Sequence, residues 1–211
     1  MKMKKTTNIR FVLGLALLAL ATMIAPAQAS RNTDFSNPAF AKVSGQTSIP
    51  IGHAQFCQTR PQECQAYASV TEAVQLTQER WDELLEVNTG FNQSIVAVTD
   101  EDLYQTEEFW TYPRGYGDCE DFVLAKRRDL IERGWPASTL LISVVRQTSG
   151  DGHAVLLVRT DRGDLVLDNL RPLIKVWNQT PYEYIKRQSQ SHAGIWVDMV
   201  DNRPMSVLAA L

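Results

Sequence analysis

The 211-residue sequence predicts an α+β fold in which a helix packs on an antiparallel β-sheet. Two segments, 77–95 and 115–135, place apolar residues at helical spacing. After Pro136 the apolar residues alternate instead, as in half-buried strands, and glycine-containing turn signals separate the alternating runs. Because the second helical segment directly precedes these runs, we expect it to cover one face of the sheet that they form.

The first 29 residues have the pattern of a secretory signal peptide. Four basic residues precede the apolar run FVLGLALLALATMIA, and the small residues Ala27 and Ala29 mark a cleavage point. The run is short for a membrane span of ~20 residues, although an uncleaved N-terminal anchor is the alternative. We expect a periplasmic or secreted protein with no membrane span after cleavage.

Charge and length indicate which partners and how many domains the mature protein can have. Because the four charges lost with residues 1–29 are basic, 17 Lys and Arg would remain against 24 Asp and Glu. This balance argues against sequence-independent binding of nucleic acid, which needs basic clusters. About 180 residues remain, enough for one domain with a core. We expect an irregular lead-in over residues 30–55, which are polar and rich in turn formers, then one monomeric domain over 56–211.

Three cysteines divide into a pair and a single residue. Cys57 and Cys64 lie close together around Pro61, which favours a local disulfide, with two buried free thiols as the alternative. Cys119 is then unpaired. A free thiol in an exported protein is an oxidation liability, so it suggests a chemical role.

The first helix is predicted to start after Thr77, which can serve as its N-cap. Its apolar stripe also contains Asn88 and Asn92, four residues apart. We interpret these two asparagines first as satisfied internal polar groups, and only second as site residues.

The second helix should begin at Cys119. Asp118 can cap it, Glu120 and Asp121 suit its first turn, and Gly134 ends it. The helix N-terminus favours a thiolate at Cys119, whereas the flanking acids disfavour it.

Three strands follow, in TLLISVVRQTS, HAVLLVRT and DLVLDNL, and we expect an antiparallel meander. His153 opens the second strand and Asp168 lies on the third. Their distances from the intervening turn differ, so the sequence predicts that a bulge or skewed pairing brings them together. His53 and His192 are assigned to surface or loop positions.

Cys119, His153 and Asp168 then provide a nucleophile, a base and a group that orients the base. The alternative is that the three side chains never meet. A protonated His153 and the helix dipole would lower the pKa of the thiol, and the backbone N–H of Cys119 could stabilise an oxyanion. Trp110 could line the cleft, support the oxyanion site or belong to the core.

Several motifs resemble those of the bacterial transglutaminase-like cysteine peptidases, a family that includes the LapG-type periplasmic proteases. They are FCQTRPQEC, RWDELLEVNTGFNQSI, GDCEDFVLAKRRDL, GHAVLLVRT and LVLDNL, spread between Phe56 and Trp196. The resemblance implies a papain-like, transglutaminase-type core. It also implies a catalytic triad of Cys119, His153 and Asp168, the residues already identified from their positions.

The same resemblance implies a bound calcium ion, with Asp118, Glu120 and Asp121 as ligands. The alternative is that these acids only cap the helix and suit its first turn. The implied activity is cleavage of a protein substrate such as a large surface adhesin. Two other functions stay open: acyl transfer to an amine, as in a transglutaminase or amidase, and a non-catalytic protein-binding module of the same fold.

Overall fold

The computed structural model describes residues 33–204 and residue 208. The predicted signal peptide, residues 1–29, lies outside this range. Within the described residues, no helix combines the length and apolar character that crossing a membrane requires.

Helices and strands alternate irregularly along the described chain. The α-helices are α1 (Ile51–Thr59), α2 (Gln78–Ser94), α3 (Asp100–Tyr104) and α4 (Cys119–Glu132). The strands are β1 (Lys42–Thr47), β2 (Val96–Ala97), β3 (Tyr116–Gly117), β4 (Leu140–Arg146), β5 (Gly152–Thr160), β6 (Gly163–Leu167), β7 (Lys175–Val176), β8 (Glu183–Gln188) and β9 (Trp196–Val200).

Within residues 33–204, seven strands form one antiparallel sheet in the order β1-β9-β8-β4-β5-β6-β7. The predicted meander is β4-β5-β6, which lies towards one side of this larger sheet. Strands β2 and β3 form a separate parallel pair. Helix α4 packs on β5 and β4, so the predicted α+β fold, with a helix on an antiparallel sheet, is confirmed.

Both predicted helices are present. The hydroxyl of Thr77 accepts a hydrogen bond from the backbone N–H of Arg80, which caps α2 as expected. Gly134, with φ +87°, follows the end of α4 in the left-handed conformation that glycine adopts readily.

Helix α4 is buried on more than one side. All residues from 120 to 127 are buried, including Lys126 and Arg127. The reason is that α4 contacts α2 as well as the sheet, so its polar residues are covered too. A pattern with one apolar face therefore underestimated the burial of this helix.

The lead-in before residue 56 is not irregular throughout. Strand β1 pairs with β9, a partner about 150 residues later, which the local sequence does not reveal. The pairing has an irregularity in which Ser44 and Gly45 lie opposite Asp198 alone. Helix α1 begins at Ile51, inside the same segment.

A disulfide joins Cys57 on α1 to Cys64, as predicted, with the two Cα atoms 5.6 Å apart. His53 packs beside both sulfurs and is only 1% exposed, so its assignment to the surface was wrong. Its Nδ1 accepts a hydrogen bond from the indole N–H of Trp196. Burial, with a smaller effect from the charge of Arg127, lowers the pKa of His53 to about 4, so this imidazole is neutral at physiological pH.

Candidate active site

His153 and Asp168 meet across the β5-β6 hairpin. His153 Nε2 lies 2.9 Å from Asp168 Oδ1, and both side chains are buried. The strand register is regular up to Leu156 opposite Leu167, so Asp168 follows opposite Val155 and diagonal to His153. Such diagonal neighbours lie within reach of long side chains. The bulge or skewed pairing expected from the sequence is therefore not needed.

The Asp168 carboxylate has further hydrogen-bond donors. Oδ1 accepts the backbone N–H of Leu170 at 2.9 Å, and Oδ2 accepts the hydroxyl of Tyr182. Asn92 on α2 donates to the backbone carbonyl of Asp168 at 2.8 Å. Burial alone would raise the pKa of Asp168, but the hydrogen bond and charge of His153 and the hydroxyl of Tyr182 outweigh it, so the pKa lies below its usual value. This environment favours the anionic carboxylate.

Cys119 is the first residue of α4 and is half-buried. It lines a cleft of about 400 Å³ together with His153. The backbone N–H of Ala154, the residue after His153, lies near the sulfur and acts to lower the pKa of the thiol. Sulfur and imidazole therefore border the same space, and because Nε2 faces Asp168, Nδ1 is the ring nitrogen left for the thiol.

The immediate surroundings of the thiol oppose its ionisation. Burial raises the pKa of Cys119, and the charge of Glu120 raises it further. The thiol also donates a hydrogen bond of 3.1 Å to Glu120 Oε2. The lowered pKa expected from the helix N-terminus and from His153 is thus outweighed by burial and by Glu120.

Among the three acids suggested as calcium ligands, Asp118 and Glu120 lie together, and Asp100 on α3 joins them. One oxygen from each of the three lies within 4.8 Å of the others. Asp121 lies outside this group, since its Oδ1 accepts the backbone N–H of Thr111 at 2.9 Å. Asp118 makes no side-chain hydrogen bond as a helix cap. Capping therefore does not explain its position.

The carboxyl groups of these acids lie close together, and several of their oxygens have no hydrogen-bond donor among the described residues. Burial, followed by the charge of Asp118, raises the pKa of Glu120 to about 10, and burial raises that of Asp121 to about 8. Buried oxygens of Asp100, Asp118 and Asp121 have no hydrogen-bond partner among the described residues. Leaving such groups uncompensated is costly, and carboxylate oxygens are the ligands that calcium prefers. The donor set therefore fits a hard divalent cation.

Sequence reasoning missed Asp100. It lies in the first turn of α3, where an acid is favoured by the helix dipole without binding any ion. Strand β2 precedes α3 and strand β3 directly precedes Asp118. The pairing of β2 with β3 therefore brings Asp100 close to Asp118.

A family model of the bacterial transglutaminase-like cysteine proteinases matches residues 43–204. The chain belongs to this family. It is therefore a cysteine peptidase with a transglutaminase-like fold and acts on a protein substrate. The resemblance noted in the sequence motifs is confirmed.

Solved structures similar to this peptidase include three of LapG from Legionella pneumophila. One is 28% identical, covers 56% of this chain and 68% of its own, and has a TM-score of 0.47. A calcium-bound form is 25% identical over 62% and 77%, with a TM-score of 0.49. An EGTA-treated form is 26% identical over 62% and 76%, with a TM-score of 0.48. The comparison with curated proteins gives no match.

The cleft of this cysteine peptidase has one wall from the N-terminal segment. Pro50 and Ile51 line it, together with Trp110, Val144 and Ala154. Trp110 is 4% exposed and packs against His53 and Trp196, so it belongs to the core and also borders the cleft. Its indole N–H donates to Glu108 at 2.9 Å and is therefore already engaged, which argues against an oxyanion role.

Proposed function

We propose that the chain is an exported cysteine endopeptidase that uses Cys119 as nucleophile, His153 as general base and Asp168 as the group that orients His153. The observation that carries this proposal is the buried pair of His153 and Asp168, whose histidine lines the same cleft as the half-buried thiol of Cys119. A nucleophile next to a base, with an acid that orients the base, provides the components of covalent acyl-transfer catalysis.

The chemistry follows from these positions. His153 Nδ1 takes the thiol proton, and the sulfur attacks the peptide carbonyl to form a tetrahedral adduct. The imidazolium then gives its proton to the leaving amine, and a thioester to Cys119 remains. Water, deprotonated by His153, attacks that thioester and releases the new carboxyl terminus together with the thiol. Asp168 remains anionic and stabilises the imidazolium in both steps.

The backbone N–H of Cys119 supports the oxyanion. As the first residue of α4, Cys119 has an amide without an acceptor inside the helix, directed out of its N-terminus. An amide of this kind can donate to the negative oxygen of the tetrahedral adduct. The indole of Trp110 does not supply a second donor while it is bonded to Glu108.

A calcium ion fits beside the nucleophile. Asp118, Glu120 and Asp100 would hold it, and the unpartnered oxygen of Asp121 makes this fourth acid a further candidate ligand. When bound, the ion would supply positive charge that offsets these acids and favours the thiolate. The two predicted influences on Cys119, helix terminus and imidazole, would then outweigh the acids.

The substrate class comes from the family and from the resemblance to LapG-type proteases. By this resemblance, the substrate is a large surface-associated protein such as an adhesin, and the chain cleaves it in the periplasm. An internal disulfide is consistent with export, since disulfides persist in oxidising compartments.

The test is cleavage by the purified chain from residue 30 onward, in buffer containing calcium. It is incubated with cell-envelope proteins of the bacterium that encodes it, and new N-termini are mapped by mass spectrometry. We expect new termini with wild type and none with Cys119→Ala, whereas His192→Ala should behave like wild type. New amide cross-links in place of new termini would indicate transfer to amines. If neither product forms while iodoacetamide still labels Cys119, the proposal is wrong.

A further inference from the structure

Tyr182 is a buried tyrosine just before β8 that the triad does not include. It is 2% exposed, and its hydroxyl donates a hydrogen bond to Asp168 Oδ2. Its ring centroid lies 5.5 Å from that of His153, at a tilt of 57°. Tyr182 therefore touches both the orienting acid and the base, yet lies outside the residues that line the cleft.

The two oxygens of Asp168 are held by different elements. Oδ1 takes His153 Nε2 and the backbone N–H of Leu170, both at 2.9 Å. Within the described residues, the hydroxyl of Tyr182 is the hydrogen-bond donor found for Oδ2. Buried Lys126 adds positive charge nearby, but its Nζ donates to Asn88 at 2.8 Å instead. One phenol thus determines how the second oxygen is directed.

Tyr182 is itself firmly placed. Its backbone carbonyl accepts a hydrogen bond from the guanidinium of Arg203, which also donates to the carbonyls of Asn178 and Thr180. The guanidinium of Arg171 lies 5.8 Å from its ring. Because Arg203 holds the backbone of Tyr182 and Arg171 lies beside its ring, Tyr182 can keep the carboxylate that it binds in one orientation.

We infer that Tyr182 is a positioning residue of this peptidase, which fixes the plane of the Asp168 carboxylate and so keeps His153 in the tautomer with hydrogen on Nε2. The inference rests on the proposed triad. Loss of the hydroxyl would leave Oδ2 as a buried anionic oxygen without a hydrogen bond, which is costly. The carboxylate would turn towards other donors, and its bond to His153 Nε2 would weaken. More of the imidazole would then carry its proton on Nδ1, where it cannot accept the thiol proton.

The test replaces one hydroxyl at a time. Tyr182→Phe removes the donor to Asp168, and Tyr184→Phe is the matched control, because Tyr184 is equally buried but its hydroxyl bonds Thr180. ¹⁵N spectra of the His153 ring in the full mature chain report which nitrogen carries hydrogen. We expect wild type and Tyr184→Phe to have hydrogen on Nε2, and Tyr182→Phe to show a mixture. On a peptide spanning a mapped cleavage site, Tyr182→Phe should lower kcat about tenfold and leave KM within about twofold.

Identical ring spectra for Tyr182→Phe and wild type would overturn the inference, as would equal losses of kcat in the two tyrosine variants. If Tyr182→Phe does not fold, 3-fluorotyrosine at position 182 keeps the ring and provides a more acidic donor. It should shift the His153 Nε2 resonance, and an unchanged resonance would count against the contact. The proposed triad has its own control: cleavage by Cys119→Ala would refute the triad regardless of the Tyr182 result.

Discussion

Gly52 lies directly against the indole of Trp110, so that a Cβ atom at position 52 would come within 2.2 Å of Trp110 Cδ1 and 2.6 Å of Nε1. This approach places the start of α1, with Ile51, along the cleft. We predict that Gly52→Ala destabilises the fold by about 1–3 kcal/mol, because a methyl group is forced into a packed contact. It should also lower cleavage activity by displacing the cleft wall. Urea unfolding measures the first effect and peptide hydrolysis the second. Gly45→Ala is the control, since its Cβ would meet nothing within 4 Å.

Asp168→Asn should nearly abolish catalysis without loss of fold. The amide has the same shape, but it cannot stabilise an imidazolium and can favour the wrong tautomer of His153. We expect kcat to fall by about 10³–10⁴ while the thermal midpoint stays close to that of wild type. Asp151→Asn, at an exposed acid in the β4-β5 turn, should retain full activity. A loss of less than tenfold in Asp168→Asn would contradict the assigned role.

Calcium should stabilise the folded chain. At one hundred times its dissociation constant, a ligand that binds only the native state adds about 2.7 kcal/mol to the free energy of unfolding. Asp100→Asn should remove most of this gain, because Asp100 lies with Asp118 and Glu120. Glu101→Gln, at an exposed neighbouring acid on α3, should keep it. Equal stabilisation of wild type and Asp100→Asn, measured by thermal unfolding with calcium or with EGTA, would exclude Asp100 as a ligand.

The disulfide should contribute stability to the wall of the cleft. It closes a short loop, for which the chain-entropy relation gives about 2–3 kcal/mol. Replacing Cys57 and Cys64 together by serine should lower the free energy of unfolding by that amount. The double variant also avoids a lone thiol that could react with Cys119. An unchanged midpoint in urea would mean that α1 is held by packing around His53 alone.

Lys126 should give stability a distinct pH dependence. Burial lowers its pKa to about 7, against about 10.4 in an unfolded chain. Between these values the unfolded state binds more protons, so the free energy of unfolding rises with pH by up to about 1.4 kcal/mol per unit. The destabilisation is complete below about pH 7 and disappears above about pH 10. Comparing wild type with Lys126→Met, both in a Cys119→Ala background, isolates this dependence. A constant difference between pH 7 and 10 would show that Lys126 does not titrate there.

Local signals predicted the elements that carry the proposed triad. Thr77 and Gly134 mark helix ends by their own conformational preferences, and the alternation after Pro136 identifies β4 to β6. The hairpin then accounts for the contact of His153 with Asp168, since the two strands are consecutive. Free Cys119 follows from the pairing of the other two cysteines.

Contacts between distant segments were not predictable in this way. Tyr182 reaches Asp168 only because β8 pairs with β4. Strand β1 pairs with β9, which follows it by about 150 residues. Lys126 is buried because α2 covers it, and its Nζ donates a hydrogen bond to Asn88 on that helix. The raised pKa of the thiol has the same origin, because burial depends on the whole fold and helix position does not reveal it.

The irregular pairing of β1 with β9 also affects how the molecule meets other chains. β1 forms one edge of the large sheet, where unpaired backbone groups could accept a further strand. The extra residue at Ser44 and Gly45 interrupts the regular register of β1, and Lys42 places a charge at the start of the strand. At the opposite edge, β7 offers only two residues. Both edges are therefore poor templates for strand addition, which protects the chain from edge-to-edge pairing with other chains or with copies of itself.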